Sequence, residues 1–243
     1  MELKFLLNKF GMGYSKKQLS FQKVFKLLFL PDSYPGPKST IMKKVITEFI
    51  GTFFLVIGAA LGGGLGAALA LMVMIYAGGH ISGAHYNPAV SLAVWIRGKL
   101  SIGDLIGYWM SQLAGGILAA LVVANIFGVE GAASCAIPDD GVIKGLVAEI
   151  IGTFALAYVV LNVATAKGTT GNSFYGIAIG GTVLAMATVI GKFSGGAYNP
   201  AVAVGLSIQK TFCWPQIWIY IVGAFAGGGL AALVFKFNNP DDK

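Results

Sequence analysis

The chain has 243 residues, of which 56% are hydrophobic and 11% charged, with 35 glycines and a mean hydropathy of +0.76. Soluble domains carry about 25% charged residues, so the composition argues against a soluble enzyme and for one polytopic helical membrane bundle, where glycine is common. The formal net charge of +7 is concentrated at the start: nine of the 17 basic residues precede position 45. That distribution excludes nucleic acid as a partner and predicts contact with anionic lipid.

Residues 1–41 stand apart from the rest. From Lys16 to Leu30 lysines alternate with large apolar residues, and the run stops at Pro31, the pattern of a basic amphipathic segment lying on a membrane surface. Met42-Lys43-Lys44 has the form of a translation start, an alternative under which residues 1–41 are not part of the native chain. From there to residue 238 the sequence predicts a single channel domain. Six spans follow, near 44–61, 65–79, 103–127, 144–164, 174–191 and 215–236, each close to the roughly 20 residues a crossing needs. The first connection, through Gly62-Gly63-Gly64, is very tight. The basic flank before the first span places the N-terminus in the cytoplasm, and an even number of spans returns the C-terminus there. Glu130, Asp139 and Asp140 then fall outside, and Arg97, Lys99, Lys167 and Lys236 inside. The expected location is a cell membrane, plasma or inner.

Two stretches do not fit as spans. Residues 80–98 and 192–210 begin with Gly, Ser, His or Lys, pass through Asn-Pro-Ala, and become apolar and short. Asn caps exposed helix N–H groups and Pro suits the first turn, so each predicts a re-entrant half-helix. The fold class is therefore all-α, with six transmembrane helices and two half-helices. An internal repeat supports it. Glu48-Phe49-Ile50-Gly51-Thr52 matches Glu149-Ile150-Ile151-Gly152-Thr153, Ser82 to Val90 matches Ser194 to Val202, and Ala114-Gly115-Gly116 matches Ala226-Gly227-Gly228. The last two matches share one offset, 199 − 87 = 112. Repeats of about 42–127 and 143–236 hold three spans each, so the second copy runs inverted to the first, with the irregular elements meeting at the bilayer midplane.

Broken backbone at that depth is tolerated where it lines a cavity. Asn87 and Asn199 supply amide donors, and two half-helix N-termini add partial positive charge that opposes cations. The predicted activity is passive passage of water and small neutral solutes. Glu48 and Glu149 are buried acids with two readings: each supports the neighbouring loop through its N–H groups, or the pair relays protons in an ion- or proton-coupled secondary transporter. Their equivalent places in the repeat favour support. His80 and His85 read as packing or capping groups, because no second ligand sits at metal spacing. Cys135 and Cys213 lie in no metal or redox spacing; a disulfide stays open, and idle thiols are the expectation. No catalytic residue, metal site or cofactor is expected.

The two signatures, Asn87-Pro88-Ala89 and Asn199-Pro200-Ala201 with their flanks, together with Glu48 and Gln112, resemble those of the aquaporin superfamily over about residues 42–237. The resemblance implies a homotetramer with one pore per subunit. It also implies an outer selectivity filter, at Ala67, Ala187, Gly196 and Val202. Aquaporins usually carry arginine at the last of these, and glycerol facilitators add aspartate; here the pair is Val202-Ala203, and Arg97, the only arginine, lies elsewhere. The resemblance thus implies an atypical, wide outer filter, passing water with solutes such as glycerol, urea, ammonia or hydrogen peroxide.

Overall fold

The structure is a computed structural model that describes residues 40–131 and 137–242, and among these there is no strand. The basic N-terminal segment falls almost wholly outside the described residues. Among the described residues seven α-helices run in order: α1 Ile41–Ser82, α2 Pro88–Ile96, α3 Ile102–Asn125, α4 Val142–Val160, α5 Tyr175–Val189, α6 Pro200–Ile208 and α7 Ile217–Asn238. A π-turn, Leu161–Thr165, prolongs α4, and Trp214–Gln216 leads into α7 as a 3-10 turn.

At about 1.5 Å per residue, a straight helix of 42 residues would be about twice as long as a bilayer core is thick. α1 avoids this by breaking at Gly63, where φ is 58° and ψ −147°, a conformation open to glycine and closed to residues with a Cβ. Its two arms turn back on each other, and Gly58 and Gly66 touch backbone to backbone. The break falls at the tight connection expected from the sequence. α1, α3, α4 with its π-turn, and α7 with its lead-in are each long and apolar enough to cross a membrane; α5 is apolar and 15 residues long.

α1 packs chiefly on α3, and α4 on α7. The same device closes both pairs: Gly115 lies against the Phe49 carbonyl and Gly227 against that of Ile150. Small residues let helix backbones approach where lipid offers no hydrophobic drive for association. Polarity is turned inside out relative to a soluble protein. Glu48, Thr52, Ser91, Gln112, Glu149, Thr153 and Ser194 are fully buried, while Ile50, Phe54, Leu118, Ile151 and Leu233 are exposed. An apolar exterior over a polar centre is the arrangement a bilayer requires, and the chain is a multi-pass integral membrane protein.

Candidate functional site

The segments that enter α2 and α6 cannot hold their shape alone. Ala84, Tyr86 and Tyr198 have φ of 52°, 51° and 49°, in the left-handed region that non-glycine residues avoid. Such backbone persists only where its surroundings fix it, and two carboxylates do so. Glu48, 0% exposed, accepts from the Ser82 hydroxyl (2.6 Å), the His85 N–H (2.9 Å), the Tyr86 N–H (2.6 Å) and the Gln112 amide (2.8 Å). Glu149, also 0% exposed, accepts from the Ser194 hydroxyl (2.6 Å), the Ala197 N–H (3.0 Å) and the Tyr198 N–H (2.7 Å).

Tyrosines brace the same loops from behind. The Tyr86 hydroxyl donates to the Met74 carbonyl (2.9 Å) and that of Tyr198 to the Met186 carbonyl (3.0 Å). Their rings lie against Gly51 and Gly152, where a Cβ would collide with ring atoms. Tyr108 and Tyr220 donate to the carbonyls of Ser82 and Ser194 at 2.5 and 2.6 Å. Met186, Ser194, Ala197, Tyr198 and Tyr220 sit 112 residues after their counterparts in the first set, and Glu149 and Gly152 sit 101 after theirs.

The asparagines cap their half-helices as expected from the sequence. The Asn87 side-chain oxygen accepts from the Ala89 N–H at 2.9 Å, and that of Asn199 from the Ala201 N–H at 2.9 Å. One further bond was not anticipated. Asn87 donates an amide hydrogen to the Tyr198 carbonyl and Asn199 donates one to the Tyr86 carbonyl, both at 2.9 Å. Each amide therefore has one hydrogen fixed across the interface between halves and one left over.

A cavity of about 220 Å³ runs past both asparagines. Ala67, Ala187, Gly196 and Val202, the four positions expected from the sequence, all lie on its wall, and Val202 is 5% exposed. No Asp, Glu, Lys or Arg lines it among the described residues. Neither Glu48 nor Glu149 lines it. Pro88, Ala89, Pro200 and Ala201 are buried behind the wall. The backbone carbonyls of Ala84, His85, Gly196 and Ala197 accept no hydrogen bond within the described residues.

The sequence reading did not place His85, Thr211 or Phe212 on the wall. His85 lines the cavity, with Nδ1 hydrogen-bonded to the Ser91 hydroxyl at 3.1 Å; Ser91 also accepts from Gln112 at 2.9 Å. Thr211 and Phe212 line it too, Phe212 stacked on Tyr220 with centroids 4.4 Å apart. Both follow α6 without any motif to mark them. His80, by contrast, is exposed at the end of α1. Lys192 is exposed, over the ring of Phe193, and does not line the cavity. The idle thiols expected for the cysteines are corrected at one of them: Cys213 is disulfide-bonded. The one other cysteine, Cys135, lies outside the described residues.

Residues 36–235 match the family model described as Major intrinsic protein. Aquaporin NIP1-1 of Zea mays is 36% identical over 217 residues, covering 82% of this chain and 76% of that protein. Aquaporin AqpM of Methanothermobacter thermautotrophicus is 32% identical over 241 residues, covering 82% and 98%. In fold, the chain is similar to the aquaglyceroporin from Plasmodium falciparum, with a TM-score of 0.64 at 19% identity, over 81% of this chain and 96% of that one. The chain belongs to the major intrinsic protein family, the aquaporins. It is a passive membrane channel for water and small neutral solutes, and not an enzyme.

Proposed function

We propose that this channel has a wide, uncharged outer filter, formed by Ala67, Ala187, Gly196 and Val202, and passes solutes such as glycerol, urea, ammonia or hydrogen peroxide along with water. The observation that carries this reading is the cavity wall itself. All four side chains there are small or apolar, and the chain's one arginine, Arg97, is engaged with Asp242 at 2.6 Å. The free amide hydrogens of Asn87 and Asn199 serve as central donors, and the unpaired carbonyls of Ala84, His85, Gly196 and Ala197 as acceptors on either side. Two helix N-termini at the centre oppose cations.

The supporting architecture is an inverted 3+3 repeat. Its six crossings are the two arms of α1 with α3, α4, α5 and α7, and α2 and α6 dip in from opposite faces. Both termini are cytoplasmic, and four copies assemble with one pore each. The paired hydrogen bonds between equivalent residues support the repeat, and the clustering of lysine before α1 supports the orientation.

Stopped-flow swelling of proteoliposomes tests the filter. Val202→Arg should lower urea and glycerol flux about tenfold relative to water, the effect of about 1.4 kcal/mol on a barrier. Unchanged solute selectivity would show that Val202 is not a filter position. Uptake driven by a pH or sodium gradient would instead return Glu48 and Glu149 to a relay role.

A further inference from the structure

The far end of α2 carries a charged cluster that the channel reading does not use. Arg97 caps that helix, its N–H donating to the Ala93 carbonyl at 2.9 Å. Its side chain is 1% exposed and holds Asp242 at 2.6 Å, with the guanidinium 4.7 Å over the ring of Phe235. The other oxygen of Asp242 accepts from the Lys167 N–H at 2.8 Å. Lys167 Nζ donates to the Asp241 carbonyl at 3.1 Å. The end of α2, the segment after the π-turn, and the segment after α7 are thus tied at one point.

The equivalent position in the second repeat, 112 residues on, is Gln209. It caps α6 with neutral contacts: its side-chain amide donates to the Val129 carbonyl (3.2 Å) and its main-chain carbonyl accepts from the Gly131 N–H (2.7 Å). Gln209 Oε1 also accepts from the Thr211 hydroxyl, and the ion pair beside it, Lys210 with Glu130, is exposed at both ends, whereas the pair that holds α2 is buried on its arginine side. α2 has nine residues, a rod of about 13 Å, with Asn87 and Val90 on the cavity wall near its other end. A rigid rod that short transmits a tilt at one end to the other.

We propose that Arg97 and Asp242 are positioning residues for Asn87: their ion pair fixes the far end of α2 and so sets where the Asn87 amide stands in the pore. The inference rests on the reading of Asn87 as a central donor. The Lys167 N–H, and then the Arg97 charge, hold the Asp242 carboxyl below the usual carboxylate range. With its pKa lowered on folding, the contact is at full strength above the ordinary value and is lost as pH falls through the lowered one. Among the described residues Arg97 and Lys167 are the charged groups that act on it, and neither reverses that order. The latch stays charged at neutral pH, so substitution is the way to release it.

The test uses the full chain in proteoliposomes, with Asp242→Asn and Asp242→Glu beside wild type. Asp242→Asn should speed amide exchange in residues 88–97 about tenfold while leaving 200–208 unchanged, and should shift water permeability several-fold. Asp242→Glu should restore both. Equal acceleration in the two half-helices, or normal permeability despite a loosened α2, would overturn the proposal. A wild-type protein that conducts neither water nor solute would instead overturn the channel reading on which it rests.

Discussion

The two halves of this protein share a scaffold and differ in what the scaffold presents. Glutamate, serine, two tyrosines and asparagine recur at the same places and make the same bonds. Around them the first half is polar where the second is not: His85, Ser91 and Gln112 correspond to Ala197, Ala203 and Ala224. Glu48 accordingly receives four hydrogen bonds and Glu149 three. Holding the segment that enters a half-helix thus requires the shared set alone. The additional polar groups of the first half place an imidazole on the cavity wall where the second half places Ala197.

The comparison can be broken first at its strongest point. Replacing a buried acceptor strands its donors, at about 1–3 kcal/mol each. Glu48→Ala should therefore cost more than Glu149→Ala, and both should sharply reduce the yield of monodisperse protein and the thermal unfolding midpoint in detergent. The reverse order would mean that the fourth bond, from Gln112, adds nothing. Gly51→Ala and Gly152→Ala come next. Each drives a methyl into a tyrosine ring pinned by its hydroxyl, an overpacking cost of about 1–3 kcal/mol. Equal losses in calorimetry would support equivalence of the halves, and a tolerated substitution on one side would disprove it there. Ser91→Ala should have the smallest effect, about 1 kcal/mol, with an altered water permeability as His85 loses its partner. Unchanged permeability in swelling assays would remove His85 from the conducting path.

Much of this was legible in the sequence because it is local or repeated. Asn-Pro-Ala before a short apolar run specifies a capped half-helix from neighbouring residues alone. The constant offset identified equivalent positions, and Gly62-Gly63-Gly64 marked the break in α1. Counting from the motifs leads to Ala67, Ala187, Gly196 and Val202, and all four lie on the cavity wall. What stayed hidden depends on contacts between distant residues without a periodic signal. Nothing near Arg97 points to Asp242, 145 residues away. Thr211 and Phe212 reach the cavity through the path of the chain after α6, and the disulfide at Cys213 has no spacing rule to announce it. The second bond of each asparagine was missed for a related reason: capping accounted for the oxygen, and only the assembled halves reveal what the nitrogen meets.

Those crossed amide bonds bear on how the protein is made. While the ribosome has delivered only the first half, the Asn87 amide has no Tyr198 carbonyl to meet, and the Tyr86 carbonyl has no Asn199. Unpaired polar groups are costly in hydrocarbon, so the α2 segment has reason to wait at the membrane surface until the second half arrives. Its entry and that of α6 become one event, late in synthesis. A chain ending near residue 127 would then be an inserted set of helices with no pore, however faithfully each helix had formed.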